Sequence, residues 1–182
     1  MQNWNFYTGT LEMLTWKLKN FLYFDYASSS WYSGLTKKYK SRLQCTQNKI
    51  IRFLLNALAR THIGTHEFEQ AGMLPVGLRV EQLKLNIMYK IAKKEAPSYL
   101  LQSVRPTRDQ HTINTRFSNS SFQLPSVNSF GKTSFIYTGI SIWNKLPNHL
   151  KSSKNLSNFK NLVKKYLFQS LHVQESNPYI YY

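Results

Sequence analysis

One segment constrains the fold of this chain more than any other. Between residues 75 and 94, apolar side chains such as Val80, Met88 and Ile91 recur on most sides of a helical axis. A helix that is apolar all round is buried, because none of its sides favours water. Pro75 suits the first turn of a helix, where its missing N–H would have no partner anyway. The sequence therefore predicts a central helix that neighbouring helices cover.

Amphipathic segments that could supply this cover lie on both sides of the central helix. Their apolar residues recur at intervals of three and four, the period of a helix with one buried face. The predicted helices span residues 11–24, 35–59, 65–72, 97–101, 133–143 and 157–171. We therefore expect a mainly α protein, a helical bundle with a long basic amphipathic helix, an irregular polar linker and a short C-terminal helical part.

The composition changes along the chain and divides it into five parts. Residues 103–121 are rich in Ser, Thr, Asn and Arg and show little periodicity, which is typical of a linker. The predicted parts are an N-terminal segment (1–22), a helical region (23–102), a polar linker (103–132), a C-terminal helical part (133–172) and a loose tail (173–182). We find no internal repeat that would make these parts copies of one another.

Charge is distributed very unequally in this sequence. There are 24 Lys and Arg residues against 8 Asp and Glu residues, which gives a formal net charge of +16. Two-metal phosphoryl-transfer sites need several carboxylates that converge on two cations. Here only Glu67 and Glu69 cluster, and residues two apart point to different sides of a helix. We therefore expect no catalytic residue in this chain alone, and its basic character favours a polyanionic partner.

Histidine and cysteine do not form a site either. His62 and His66 are four apart, the spacing of two metal ligands on one helix face, but Gly64 separates them and no further ligand pattern follows. The single cysteine, Cys45, is not accompanied by residues that would make it a nucleophile. No glycine-rich phosphate loop occurs. We expect neither a metal site nor a cofactor.

The strongest functional signal is the placement of cations along the predicted helix over residues 35–59. At 100° per residue, five cations fall within an arc of about 80° beside the apolar stripe. These five residues, which we call the basic ridge, are Lys38, Arg42, Lys49, Arg52 and Arg60. Charge runs are usually solvated faces, but no acid interrupts this one. The ridge fits the backbone of RNA or DNA, because each phosphate it neutralises releases condensed counterions.

Two smaller signals point to the same kind of partner. Lys164 and Lys165 on the last predicted helix form a second candidate contact, for which a solubilising surface is the commoner explanation. Aromatic residues alternate with cations between Trp31 and Lys40, a pattern that fits base stacking on a single strand. Because Tyr39 falls in the apolar stripe, packing in the core is the favoured interpretation of that residue.

The sequence carries no sign of a membrane or secretory segment. No apolar run approaches the length of a membrane span, and the N-terminal residues lack both a basic and an apolar region of a signal peptide. We therefore expect an intracellular protein of the nucleus or cytoplasm that is not secreted and has no membrane partner.

Six short motifs follow one another between residues 23 and 171. They are Phe24-Asp25-Tyr26-Ala27…Trp31, Leu43…Gln47-Asn48-Lys49…Arg52, Leu74-Pro75-Val76…Arg79, Ala96-Pro97-Ser98-Tyr99-Leu100, Trp143-Asn144-Lys145-Leu146-Pro147 and Phe159-Lys160…Lys165-Tyr166-Leu167. Each motif is short, but together and in this order they resemble the region that follows the catalytic palm in reverse transcriptases of jockey-like non-LTR retrotransposons.

The resemblance implies that residues 23–102 are a helical thumb-like region, in which residues 35–59 belong to the thumb or its continuation and grip template and primer. It also implies that the parent protein is an RNA-directed DNA polymerase whose palm carries a Tyr-x-Asp-Asp motif. No such motif occurs here, so the resemblance marks the chain as a C-terminal fragment that at most binds nucleic acid. A palm-containing polymerase fragment is then a second candidate partner. Residues 1–22 do not follow the family closely.

Two other interpretations stay open. The chain could be a structural relic whose cations have no partner. It could also be an accessory protein recruited through an exposed apolar face, because a severed thumb would expose the surface that once met the palm. Salt-dependent binding to RNA or DNA would distinguish a nucleic-acid-binding polymerase fragment from both of these alternatives.

Overall fold

The structure is a computed structural model that describes residues 25–107 and 121–175. Within these ranges it has eight α-helices, and the prediction of a mainly α fold is confirmed. They are α1 (Ser28–Trp31), α2 (Lys37–Leu54), α3 (Thr65–Gln70), α4 (Val76–Ala92), α5 (Ser98–Gln102), α6 (Phe135–Lys145), α7 (Asn148–Lys151) and α8 (Leu156–Glu175), with 3₁₀ turns at Tyr32–Gly34 and Gly131–Thr133. The helix predicted over residues 11–24 lies outside the described residues.

The predicted central helix is α4. Its buried residues are Val76, Val80, Gln82, Lys84, Leu85, Met88, Tyr89 and Ile91. The helix packs against α1 and α2, which precede it in the chain, and against α6 and α8, which come after the polar segment. Helices from both sides of the predicted linker therefore cover one central helix, as its all-round apolar pattern requires.

The larger apolar core is organised around Trp143 of α6. This side chain is only 2% exposed, and its ring lies 6.0 Å from that of Phe159 and 6.1 Å from that of Phe122, measured between centroids. Tyr89 of α4 stacks on Phe159 at 4.5 Å, and its hydroxyl donates a hydrogen bond to the Ser153 carbonyl at 2.8 Å. Trp143 thus joins the C-terminal helices to the central helix.

A second, smaller apolar cluster lies between α2 and α3. Its buried residues are Ile50, Ile51, Ile63, Phe68, Ala71 and Met73. Phe168 of α8 packs against this cluster and also against the larger core. The helix α2, which carries four of the five residues of the basic ridge, therefore packs on this smaller cluster.

The ends of the predicted linker are held by packing. Val104 is buried in the larger core, and Pro106 forms an isolated antiparallel bridge with Phe122. The side chain of Asn144 makes two hydrogen bonds with the backbone of Phe122. Its Oδ1 accepts from the Phe122 N–H at 3.0 Å, and its Nδ2 donates to the Phe122 carbonyl at 2.8 Å. Residues 108–120 lie outside the described ranges, and the division into five parts stays a prediction.

Two helix boundaries differ from the predictions by more than two residues. The helix predicted over residues 35–59 ends at Leu54, because Asn56 takes a left-handed backbone with a φ of 50°. The Ala57 N–H then donates to the Arg52 carbonyl at 2.9 Å, which closes the helix end in a Schellman motif. The last helix extends past its predicted end at residue 171, so α8, with 20 residues, is longer than α2, with 18.

Candidate nucleic-acid interface

Amide side chains fix how α2 lies on the rest of the protein. Gln47 is buried, and its Nε2 donates to the Leu74 carbonyl at 2.8 Å. Gln44 accepts from the Val76 N–H at the start of α4 at 3.1 Å and donates to the Gln47 Oε1 at 3.0 Å. These bonds turn Gln47 and the neighbouring Ile51 toward the body of the protein, so the opposite face of α2 is exposed.

Three residues of the basic ridge share that exposed face. Lys38, Arg42 and Lys49 are exposed and lie about 140–180° around the helix axis from Gln47. The α2 sequence contains no Asp or Glu. Among the described residues, the ion pairs that form are His66–Glu67, Arg79–Asp25 and His172–Glu69, and none of them involves the ridge. The three cations are therefore accessible to an external phosphate.

The other two residues of the basic ridge have different surroundings. Arg52 is half-buried, and its Nε donates to the Thr61 carbonyl at 2.8 Å, so it holds the loop after α2. Arg60 is exposed but lies in that loop, because α2 ends at Leu54. The prediction that all five cations share one helical arc was therefore wrong for Arg60.

The two lysines predicted as a smaller contact also differ from each other. The Nζ of Lys164 donates to the Gly72 carbonyl at 2.9 Å and lies 5.8 Å from the centroid of the Phe168 ring. Gly72 follows the C-terminal end of α3, so Lys164 connects α8 to that end. Lys165 is exposed. Of the pair, Lys165 is the one whose charge projects from the protein.

An open groove lined by aromatic side chains runs beside the ridge. Trp31 and Tyr39 are 37% and 52% exposed. The groove has a volume of about 340 Å³, and we call it the aromatic groove: Trp31, Leu35, Tyr39, Arg42, Leu43 and Thr46. The prediction that Tyr39 packs in the core was wrong. Tyr39 lies on the same side of α2 as the buried Ile50, but about three turns nearer the start of the helix, beyond the apolar cluster to which Ile50 belongs.

The short helix that presents Trp31 is fastened to α4 by an ion pair. Arg79 of α4 donates from two nitrogens to the Asp25 carboxylate, with an Nε to Oδ1 distance of 3.0 Å. Bidentate pairs of this kind fix orientation as well as distance. The indole Nε1 of Trp31 donates to the Tyr26 carbonyl at 2.9 Å. One edge of the aromatic groove is therefore held in place before any ligand arrives.

A buried cation lies on the side of α4 that faces α6. Lys84 is only 4% exposed, and its Nζ donates to the hydroxyls of Ser33 and Thr138, the latter at 2.8 Å. Burial lowers the pKa of Lys84 to about 8, and it raises the pKa of the nearby Glu81. Sequence reasoning missed this residue, because a lysine on a helix is normally solvated.

We expect the free energy of unfolding to increase between pH 8 and about 10. In that range the unfolded chain holds a proton on Lys84, whose unfolded pKa is about 10.4, whereas the folded chain has lost it, so a rise in pH favours folding. Half-buried Tyr32 and buried Tyr89 have raised pKa values and act in the opposite direction only above about pH 10. Urea unfolding at several pH values measures the slope.

The matched variants for this measurement lie on the same helix. Lys84→Met should remove most of the increase and leave the smaller part that comes from Lys151, whose pKa burial also lowers. Lys90→Met, which changes an exposed lysine of α4, should retain the whole increase. Equal pH slopes for the parent chain and Lys84→Met would show that Lys84 is not the titrating group.

Comparison of the chain with protein-family models, with curated proteins and with solved structures finds no match. No helix in the described ranges has the length and apolar character needed to cross a membrane. Within residues 25–107 and 121–175, no three His, Cys, Asp or Glu residues come together as a possible metal-ligand set. Inferences about function therefore rest on the residues of the exposed face of α2 and on the sequence motifs.

Proposed function

We propose that this chain is a thumb-like, C-terminal part of a non-LTR retrotransposon reverse transcriptase, and that it binds the backbone of template and primer. The observation that carries the proposal is the exposed face of α2, where Lys38, Arg42 and Lys49 lie on a helix without acids. Each phosphate that they neutralise releases counterions. Such binding is not sequence-specific, because phosphate contacts carry no information about the bases.

Contacts between the sequence motifs support treating them as parts of one structural unit. Three contacts join residues from different motifs: Asp25 with Arg79, Gln47 with Leu74, and Trp143 with Phe159. Residues from the first, second and third motifs thus fix α1 and α2 on α4, and residues from the fifth and sixth form the larger core. If the chain has a thumb-like architecture, its motif residues should contact one another within one fold, and these three contacts support that proposal.

The proposal is tested by binding of the purified chain to RNA, DNA and an RNA–DNA hybrid over a range of salt concentrations. We expect the logarithm of the association constant to fall linearly with the logarithm of salt concentration, because counterion release drives the binding. Oligonucleotides of unrelated sequence should bind with similar affinity. Fluorescence anisotropy measures both quantities. Absence of saturable binding would instead support a structural relic.

The aromatic groove favours single strands over duplexes. Exposed rings beside a cation such as Arg42 can stack on bases, and one stacked base contributes about 1–3 kcal/mol by alanine substitution. We expect Tyr39→Ala to weaken single-strand binding by that amount and to leave duplex binding unchanged. Anisotropy titrations with matched single and double strands measure the difference.

The control for this variant is Tyr99→Ala, which removes a tyrosine of α5 that is more exposed than Tyr39. It should alter neither affinity. Equal losses for single and double strands in Tyr39→Ala would mean that Tyr39 supports the helix rather than a base.

Exposed apolar residues at the C-terminal end of α2 favour a protein partner as a second candidate. Phe53 and Leu58 are both largely exposed there. If these residues met a palm in the parent protein, a palm-containing polymerase fragment would cover them. An increase in mass on mixing the two proteins, lost in Leu58→Asp, would support this partner.

A further inference from the structure

A polar cavity of about 340 Å³ lies where several elements of the fold meet. Three different elements contribute a lysine to its lining, namely Lys40 of α2, Lys84 of α4 and Lys132 of the 3₁₀ turn Gly131–Thr133. One carboxyl group, that of Glu81, accompanies them. Three lysines against one acid leave the cavity with an excess of positive charge.

Hydroxyl groups supply most of the remaining polar lining. They belong to Tyr32, Ser33, Thr133 and Thr138. The Tyr32 ring also positions Lys40, whose Nζ lies 5.2 Å from the ring centroid. The Thr133 and Thr138 hydroxyls already donate to the Phe130 and Ser134 carbonyls, at 2.8 Å each. The hydroxyls of Tyr32 and Ser33 therefore supply the O–H donors for the oxygens of an anion.

Lys84 is the buried lysine of the cavity, and hydrogen bonds hold its ammonium group in place. Its ammonium group has three N–H donors, and two of them are used by the hydroxyls of Ser33 and Thr138. One donor is left for a further acceptor in the cavity. A buried cation is costly unless it is paired, and Glu81 is the one carboxyl group that lines the cavity with three lysines. An anion in the cavity would relieve this cost.

We propose that this cavity binds a phosphate group through Lys40, Lys84 and Lys132. A phosphate offers several strong acceptor oxygens, which match ammonium and hydroxyl donors converging from different elements. The volume of the cavity holds one or two phosphoryl groups together with water. The site lies apart from the basic ridge and shares no residue with it, so it does not depend on backbone binding by α2.

Two sources could supply the phosphate, the end of a nucleic-acid strand and a free phosphorylated compound. Both present the same chemistry to the lysines, and the protein contacts named above do not depend on what the phosphate is attached to. The two sources are therefore distinguished by experiment, with inorganic pyrophosphate as one probe and oligonucleotides with and without a 5′-phosphate as the other.

The first experiment is calorimetric titration of the full chain with inorganic pyrophosphate. We expect saturable binding to the parent chain and at least tenfold weaker binding to the double variant Lys40→Gln and Lys132→Gln. The matched control is Lys90→Gln with Lys165→Gln, which removes two exposed charges outside the cavity and should bind like the parent. Lys40 and Lys132 are not buried, so the double variant should fold even if a variant with a substitution at Lys84 does not.

Two results would overturn the proposal. One is the absence of saturable pyrophosphate binding to the folded parent chain. The other is equal weakening in both double variants, which would mean that net charge alone attracts the anion. Neither result bears on the basic ridge, whose binding is measured through different residues.

A second experiment identifies the source of the phosphate. If a 5′-phosphorylated oligonucleotide binds more tightly than its 5′-hydroxyl counterpart, and the cavity variant removes that difference, the site takes a strand end. If both oligonucleotides bind equally while pyrophosphate binding persists, the site takes a free phosphorylated compound. Either result supports a phosphate site.

The pH dependence of binding tests the part played by Lys84. A phosphate monoester such as glycerol phosphate stays dianionic from pH 7 to 9, since its second pKa is about 6. Lys84 loses its proton in that range, so affinity should fall several-fold. The other titratable groups that line the cavity are Tyr32 and Glu81, whose pKa values burial raises, and the lysines Lys40 and Lys132. Affinity that stays constant across this range would contradict a role for Lys84.

Discussion

Replacing Trp143 by alanine should lower the free energy of unfolding by about 3–5 kcal/mol. The side chain is buried between Phe122 and Phe159, and α4 packs against the helix that carries it. These neighbours are large and held by their own contacts, so they cannot collapse into the space that the indole leaves. Urea or thermal unfolding of the parent chain and the variant measures the loss.

The control for this change is Tyr99→Ala, at an exposed aromatic position. Surface substitutions of this kind usually change stability by no more than about 0.5 kcal/mol. A Trp143→Ala chain that unfolds together with the parent, yet no longer binds nucleic acid, would make Trp143 a binding residue and remove it from the core.

Replacing Lys38, Arg42 and Lys49 together by glutamine should weaken nucleic-acid binding strongly and lower the salt slope by about 2–3. Each phosphate contact contributes about 0.7–0.9 to that slope, and the variant removes three. Glutamine retains helix propensity, and all three residues are exposed, so the melting temperature and the far-UV spectrum should not change. Anisotropy titrations at several salt concentrations measure the slope.

A second triple variant controls for net charge. Lys154, Lys160 and Lys165 are exposed and lie outside the basic ridge, and their replacement by glutamine removes the same charge. Arg52 and Lys164 are unsuitable for either triple, because both donate to backbone carbonyls and their loss would disturb the fold. If the two triples weaken binding equally, the protein attracts a polyanion only through its overall charge.

The sequence was sufficient to predict the parts of the fold that depend on apolar patterns. The burial of α4 follows from its all-round apolar sequence, and this prediction is confirmed. The end of α2 at Leu54 was missed, although its signal is local: Asn56 follows the helix, and asparagine adopts the left-handed conformation more readily than most residues.

The other differences between prediction and structure concern polar residues whose hydrogen-bond partners lie far away in the sequence. Gln47 is buried because it reaches the Leu74 carbonyl, 27 positions further on. Tyr39 is exposed because the apolar cluster that covers Ile50 does not reach the N-terminal part of α2. Lys84 is buried because hydroxyls at positions 33 and 138 meet it, 51 and 54 positions away. Helical periodicity shows which residues are apolar, but it does not show which distant residues form hydrogen bonds with Gln47 and Lys84.

The separate apolar cluster under α2 has a consequence for how the protein opens. Cooperative units in native proteins follow the boundaries of their cores, and each unit exchanges its amide hydrogens with its own free energy. Because Phe168 is the side chain that packs against both clusters, α2 and α3 should form a unit that opens while α4, α6 and α8 stay folded. A polyanion bound to α2 should then slow amide exchange in that unit first, so the charged helix would gain rigidity from its own ligand.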